Sequence, residues 1–283
     1  MSLLPPAIAS HLQQRGIIVQ RFQPVTGGCI NQGGKITTPD GNFFLKWNHA
    51  AKFPQMFLAE ARGLQIIGQT ASIRVPAVVQ VAHIEEWQYL LLEWIDGFAP
   101  SVHDWRSLGE QLAALHHHSA TQFGLDHDNY IGSLAQKNTP TDNWIEFLVQ
   151  QRLAPQLALL KNTAIRQGVQ KLIMRLPDLL PTEPAALLHG DLWRGNLITD
   201  GQGQPCLIDP AVYYGHREAE LAFTRLFGGF HPGFYDAYQQ SFPLLPGFEE
   251  RVEIYHLYPL LVHYNLFGGS YLLQAERIIK RYR

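Results

Sequence analysis

His189-Gly190-Asp191-Leu192-Trp193-Arg194-Gly195-Asn196 is the stretch on which the fold turns, together with Asp209, thirteen residues beyond Asn196 in Leu207-Ile208-Asp209-Pro210. Phosphoryl transfer needs little covalent chemistry from a protein. It needs one carboxylate beside the attacking hydroxyl, and oxygen ligands that hold Mg²⁺ against the phosphates. An Asp and an Asn five apart on one loop, with a second Asp after a short hairpin, supply these groups. Asp191 is then the catalytic carboxylate that orients the hydroxyl and accepts its proton, and Asn196 and Asp209 are the metal ligands. Taken alone, the loop has a plainer reading, in which Asp191 and Asn196 are turn and cap residues; the spacing to Asp209 argues against it.

Working outward, Lys46 lies in the strand Asn42-Phe43-Phe44-Leu45-Lys46-Trp47, and Glu60 lies on the helix that follows. A strand lysine that contacts nucleotide phosphates and pairs with a helix glutamate belongs with such a loop. Upstream is the glycine-rich turn Gly27-Gly28-Cys29-Ile30-Asn31, where small residues let backbone N–H groups approach phosphates. It lacks the Gly-Lys-Ser/Thr ending of a Walker loop and opens no helix as a dinucleotide-binding loop would. Leu90-Leu91-Leu92-Glu93-Trp94-Ile95-Asp96-Gly97 runs into a turn, and Glu93 and Ile95 are the expected backbone contacts to adenine. The Asp191 loop resembles a kinase catalytic loop with Gly190 in the place usually held by Arg.

The expected elements fit this reading. A helix over 6–15 is followed by an extended segment at 17–25 and strands near 35–38 and 42–47 around an Asp40-Gly41 hairpin. A helix over 57–69 and strands near 75–81 and 88–94 complete a strand-rich unit. The rest is mostly helical: 107–119, 144–161, 164–176, 218–227, 233–240 and a long helix over 247–281 that should bend or break at Pro259. A hairpin is expected over 197–208. The expectation is an α+β, bilobal, protein-kinase-like fold, with an antiparallel sheet and one helix in the N-lobe (1–96) and a mostly helical C-lobe (97–283). A length of 283 residues suits two lobes better than one core. A net charge of −2 offers no field for nucleic acid, and two cysteines cannot make a disulfide framework. No run of apolar residues is long enough for a membrane span, the first ten residues do not read as a signal peptide, and the cytoplasm is the default location.

The same motifs, with Tyr214-Gly215-His216-Arg217-Glu218-Ala219-Glu220, Phe227-Gly228-Gly229-Phe230 and His263-Tyr264-Asn265, resemble the fructosamine kinase (ketosamine-3-kinase) family over almost the whole chain. The resemblance implies ATP- and Mg²⁺-dependent phosphorylation of the sugar 3-hydroxyl of fructosamines or ribulosamines, free or on glycated protein lysines. The phosphorylated adduct then falls off, so the implied role is repair of glycated protein. Arg194 departs from the family, which usually has Ser there. Trp193, beside Asp191, is the candidate to stack on the sugar, and His263 and Asn265 are further substrate candidates against a competing role in core packing. Glu218 and Glu220 are read as structural. His116, His117 and His118 point in different directions from a helix and are not expected to share a metal. Cys29 is a candidate redox-sensitive thiol that can link two chains, an inert small residue being the alternative; otherwise a monomer is expected. A kinase for an aminoglycoside, choline or homoserine-like acceptor is the competing enzyme reading. A catalytically dead binding module would be expected to lack Lys46, Asp191, Asn196 or Asp209, and all four are present.

Overall fold

The first apolar stripe of the chain, Ile8 and Leu12, lies on a short helix, α1 (Pro6–Gln14), started by proline at its first turn. Residues 4–25 and 31–282 are described by this computed structural model. After α1 come β1 (Arg21–Pro24), β2 (Gln32–Thr38), β3 (Gly41–His49), α2 (Met56–Gln69), β4 (Val78–Ile84) and β5 (Trp87–Glu93). The strands form one antiparallel sheet in the order β1-β2-β3-β5-β4. Alternation along β3 and β5 sorts their side chains. Leu45, Trp47, Tyr89 and Leu91 bury against Ile8 and Leu12 of α1, and Leu90 and Leu92 bury against Phe57, Ala61 and Leu64 of α2. Lys46 falls on the α2 face of β3, which is why a lysine can be buried there at all.

The second lobe is mostly helical. It begins with α3 (Val102–His116), β6 (Ser119–Ala120), β7 (Asn129–Ile131), β8 (Leu134–Gln136) and α4 (Trp144–Phe147). α4 continues through a π-helical turn (Leu148–Leu153) into α5 (Ala154–Leu159). Next come α6 (Thr163–Ile173), α7 (Leu176–Leu179), β9 (Ala185–Leu188), β10 (Leu197–Thr199), β11 (Pro205–Leu207) and β12 (Tyr213–Gly215). The chain ends in α8 (Arg217–Leu226), α9 (Pro232–Ser241), α10 (Phe248–Phe267) and α11 (Tyr271–Tyr282). One large core joins α3, α4 to α6, β9 and α8 to α11.

Two expectations need correction, and one hairpin is new. The helix expected from 107 begins at Val102, because Ser101 and Asp104 form a capping box that opens it earlier. The helix expected over 247–281 is two helices. Pro259 sits inside α10 without ending it, and the break falls at Gly268 and Gly269, both at positive φ (69° and 76°). The short antiparallel hairpin β7–β8 was not anticipated.

Several contacts tie the lobes. Arg74 pairs with Glu93 at 2.6 Å and with Asp200 of the β10–β11 turn. The Phe98 N–H donates to Thr199 O at 2.8 Å. The Tyr130 hydroxyl donates to Pro54 O at 2.9 Å, just ahead of α2.

Candidate active site

Where the two lobes meet, Lys46 Nζ lies 2.6 Å from Glu60 Oε1 and 2.5 Å from Asp209 Oδ1. β3 supplies the lysine, α2 the glutamate, and the segment after β11 the aspartate. Burial alone would push the Lys46 ammonium down, but the carboxylates of Asp209 and Glu60 outweigh it and hold its pKa above the ordinary lysine value. Glu60 is raised, because desolvation outweighs the lysine's pull.

Asp191 and Asn196 are joined through the loop they bracket. The Asn196 amide donates to Asp191 O at 2.8 Å and to Asp191 Oδ2 at 3.1 Å. The Ile208 N–H donates to Asn196 O at 3.0 Å, which places Asp209 next to the same loop. The Asp191 carboxyl is raised well above the usual carboxylate range, first by burial and then by the Asp209 charge, against the opposing Asn196 bond. The loop itself is held from below. Glu220 accepts the Gly190 N–H at 2.7 Å and the His189 N–H at 3.1 Å, while His116 Nε2 lies 2.9 Å from the same carboxylate. Gly190 has φ +84°, and any side chain there would collide with Ala211 O, so only glycine lets the Asp209 segment lie against the loop. Asp209 itself has φ +55°, a left-handed conformation uncommon outside glycine.

The predicted residues divide clearly. Lys46, Glu60, Asp191, Asn196 and Asp209 come together. Glu93 ends β5, with its N–H on Ala77 O at 2.9 Å and its carboxylate on Arg74, and Ile95 is buried at the crossing between lobes. Asn31 lies at the mouth of β2, and its amide oxygen accepts from Asn48 at 2.7 Å. Gly27, Gly28, Cys29 and Ile30 lie outside the described residues. Trp193 is 41 % exposed and lies flat on Gly195, where a side chain would strike its ring. Arg194 donates to Leu197 O at 2.9 Å and sits over the Trp105 ring. His263 lines a small cavity behind the loop with Gly190, Tyr258 and Arg152, and it packs among Phe227, Phe267 and Tyr271. Asn265 is not part of the constellation: its amide ties α10 to α5 through Gln156 O and Oε1.

Glu218 pairs with Arg251 at 2.5 Å, and Glu220 anchors the loop, so both are structural as expected. His116 turns to Glu220 and Tyr238, His117 stacks on Phe242, and His118 reaches Ser72. Among the described residues no three His, Cys, Asp or Glu side chains gather as a metal site. The donors available at the cleft are oxygens, from Asp209, Asp191 and the Asn196 amide, a set that suits a hard cation such as Mg²⁺ rather than zinc. Cys206 is buried, and burial pushes its thiol up to about 12, so it is inert packing.

The two lobes, the lysine–glutamate pair, the loop aspartate with its asparagine and the neighbouring Asp209 define a phosphotransferase of the protein-kinase-like class. The chain belongs to the fructosamine kinase family, whose model matches residues 5–283. A probable ketoamine kinase from Synechocystis sp. is 42% identical over 270 residues, covering 93% of this chain and 90% of that one. A chloroplastic protein-ribulosamine 3-kinase from Arabidopsis thaliana is 39% identical over 274 residues, covering 93% and 83%. A crystal structure from Thermobifida fusca assigned to the fructosamine-3-kinases superposes with a TM-score of 0.86 at 33% identity, over 97% of each chain. A thermostable mutant of the aminoglycoside phosphotransferase APH(4)-Ia shares the fold alone, with a TM-score of 0.66 at 14% identity over 96% of this chain and 97% of that one. Among the described residues no helix is long and apolar enough to cross a membrane.

Proposed function

We propose that this chain transfers the terminal phosphoryl group of ATP to the sugar 3-hydroxyl of fructosamines or ribulosamines, including adducts on protein lysines. One observation carries the reading: Lys46 bridges Glu60 and Asp209 while Asn196 closes on Asp191. The lysine–glutamate pair and the metal carboxylate must both be in place for phosphoryl transfer in this class. The likeness to ketoamine and ribulosamine kinases, rather than to aminoglycoside enzymes, favours a ketoamine acceptor. We also place the lobe boundary at Asp96–Gly97, supported by two apolar clusters confined to residues before it, while the buried residues of the large core beyond it reach back only to Ile67 and Ile73 of the first lobe.

In this reading Asp191 accepts the proton of the attacking hydroxyl. The hydroxyl oxygen forms the new bond to phosphorus as the bond to the bridging oxygen breaks, releasing ADP. Lys46 binds the nucleotide phosphates, and Glu60 orients the lysine. Glu93 and Ile95 offer main-chain groups to adenine, and Gly27 to Asn31 cover the phosphates. Asp209 and Asn196 would hold Mg²⁺, which neutralises phosphate charge when bound. Trp193 supplies an aromatic face for the acceptor, and His263 lies in the wall behind it. Asp191 must be ionised to accept a proton, so turnover is lost as pH falls through its raised pKa.

ATP consumption measured side by side with ribulose-lysine, fructose-lysine, an aminoglycoside and choline tests the assignment. Ketoamines should be consumed and the other two should not; turnover of choline or the aminoglycoside alone would overturn it. Asp191→Asn should keep ADP binding and lose about 10²–10⁴-fold in kcat, the usual worth of a general base. Near-normal turnover would remove Asp191 from its role.

A further inference from the structure

The hairpin β7–β8, between α3 and α4, has no part in the site as described so far, yet two of its side chains hold the segment that carries Asp209. Asn129 and Gln136 face one another across the hairpin, which closes through a two-residue turn with Gly132 at φ +59°. Both side chains are buried, at 6% and 2% exposure. Asn129 Nδ2 donates to Val212 O at 2.7 Å. Gln136 Nε2 donates to Asn129 Oδ1 at 2.8 Å and to Ala211 O at 3.2 Å, and Gln136 Oε1 accepts the Tyr258 hydroxyl at 2.7 Å. Every hydrogen of these two amides that is accounted for thus goes to residues 211 and 212 or to the partner amide.

These two carbonyls belong to the irregular stretch between Asp209 and β12. No strand partner serves them, and a buried carbonyl left without a donor is costly. Ala211 is also where the two halves of the site touch. Its N–H donates to His189 O at 2.9 Å, and its carbonyl oxygen lies against Gly190. Gln136 therefore grips one of the residues that fix Asp209 relative to the Asp191 loop, the other being Ile208, whose N–H donates to Asn196 O and whose carbonyl meets His189 Nε2. The base of the hairpin is itself rigid. Arg152, fully buried on the π-helical turn, donates to Lys137 O at 2.6 Å and to Asn138 Oδ1 at 2.8 Å. Tyr130, on the same hairpin, reaches the segment ahead of α2, the helix of Glu60.

We infer that Gln136, backed by Asn129, is a positioning residue for the metal carboxylate: it sets where Asp209 stands relative to Asp191, and so tunes the Mg²⁺ requirement of the enzyme. The inference rests on the assignment of Asp209 to the metal. A bare scaffolding role would lower stability alone, whereas a positioning role shifts metal dependence ahead of metal-free nucleotide binding.

The test is a fluorescence titration of a labelled ATP analogue, with and without Mg²⁺, on wild type, Gln136→Leu, Gln136→Met, Tyr258→Phe and Asp209→Ala, with unfolding midpoints taken in parallel. Gln136→Leu should bind the metal-free nucleotide as wild type does and need about 10-fold more Mg²⁺ for half-maximal tightening, the scale of one lost buried hydrogen bond. Gln136→Met, whose flexible side chain fills the same space, should behave alike and substitutes if the leucine variant does not fold. Tyr258→Phe removes only the bond to Oε1 and should leave the Mg²⁺ midpoint in place. An unchanged Mg²⁺ midpoint in a folded Gln136 variant overturns the inference, as does an equal weakening of binding with and without metal. Asp209→Ala separates the two levels: if it keeps a normal Mg²⁺ response, the metal assignment itself fails, whatever Gln136 does.

Discussion

Replacing Glu220 by glutamine removes one charge from beneath the Asp191 loop and changes the shape of nothing. The carboxylate is 3% exposed and serves three donors: Gly190 N–H at 2.7 Å, His189 N–H at 3.1 Å and His116 Nε2 at 2.9 Å. An amide can keep only one of the two oxygens. With that oxygen on Gly190, the new NH₂ faces the His189 N–H and His116. His116 can adapt by moving its proton to Nδ1, beside the Tyr238 hydroxyl, but the His189 N–H cannot. One buried donor is stranded, and the bond to Gly190 loses its charge. At roughly 1–3 kcal/mol for the orphaned donor and about 1 kcal/mol for the weakened bond, the loss should be about 3 kcal/mol. Urea unfolding at pH 7 should show a lower midpoint with an unchanged slope. The loop that slackens carries Asp191, so kcat should fall on the order of 10–100-fold, the scale of a small misplacement of reacting groups. The pH profile gives an independent sign. Glu220 is one of the charges that raise Asp191, so its neutralisation should move the acid limb of kcat/KM to lower pH. Burial pushes the Glu220 carboxyl up, but its bond to His116 and the neighbouring donors outweigh this and leave it below the ordinary range. Its stabilisation is therefore present above the usual glutamate pKa and lost as pH falls through the lowered native value, and the glutamine variant should lack that dependence. A loss under about 1 kcal/mol with unchanged kcat, or an acid limb that moves upward, would refute the loop-anchor argument.

Lys46→Met should leave the Glu60 and Asp209 carboxylates facing each other without a cation. Breaking a buried pair costs roughly 3–5 kcal/mol, and the half-exposed Asp209 discounts this to about 2–3 kcal/mol. Thermal unfolding and an ADP titration should show both lost stability and lost affinity, and an unchanged pair of values would dismiss the bridge. His216 stacks on Trp144, and its pKa is pushed down to about 3, by burial first and then by Arg251 and Arg217. Between about pH 6.5 and 3 the unfolded chain binds a proton there that the native one does not, so stability falls as pH drops; at pH 5 this amounts to about 2 kcal/mol. His216→Phe should flatten the fall in unfolding free energy between pH 7 and pH 5 by about that amount, and an equally steep fall would show that other groups carry it.

What the sequence made legible was local. Short apolar runs in β3 and β5 and the Asp-Gly hairpin signal marked the strands, and the spacing of Asp191, Asn196 and Asp209 marked groups that do converge. Lys46 and Glu60 were readable because one strand and the next helix bring them together by topology alone. What stayed hidden depends on tertiary partners. Asn129, Gln136 and Arg152 act through main-chain carbonyls 15 to 83 residues away, and nothing in their own neighbourhood signals this. The hairpin that carries two of them did offer a cue, Gly132-Ser133 between Tyr130-Ile131 and Leu134, but three-residue strands are too short for alternation to stand out. The end of α10 shows the limit of a single-residue rule. Proline is a strong breaker in isolation, yet Pro259 is carried within a helix packed along its length, while two consecutive glycines end it.

The site is assembled against the stability of the chain. Asp191 is held at a raised pKa, so its ionised form costs free energy at neutral pH; Glu60 is raised by burial; and Asp209 keeps a left-handed backbone that alone costs on the order of 1 kcal/mol or more. Three unfavourable features on separate elements, converging on one cleft, are what a functional constellation demands and what packing alone would not retain. Each is matched by a side chain placed to answer it. Lys46 answers both Glu60 and Asp209, Glu220 answers the His189 and Gly190 N–H groups under Asp191, and Gln136 answers the Ala211 carbonyl two residues beyond Asp209. The last two touch neither nucleotide nor acceptor in the proposed reaction, yet they brace from behind the loop of Asp191 and the segment of Asp209, adding to the Asn196–Asp191 bonds and the Lys46 bridge that draw the oxygens at 191, 196 and 209 together.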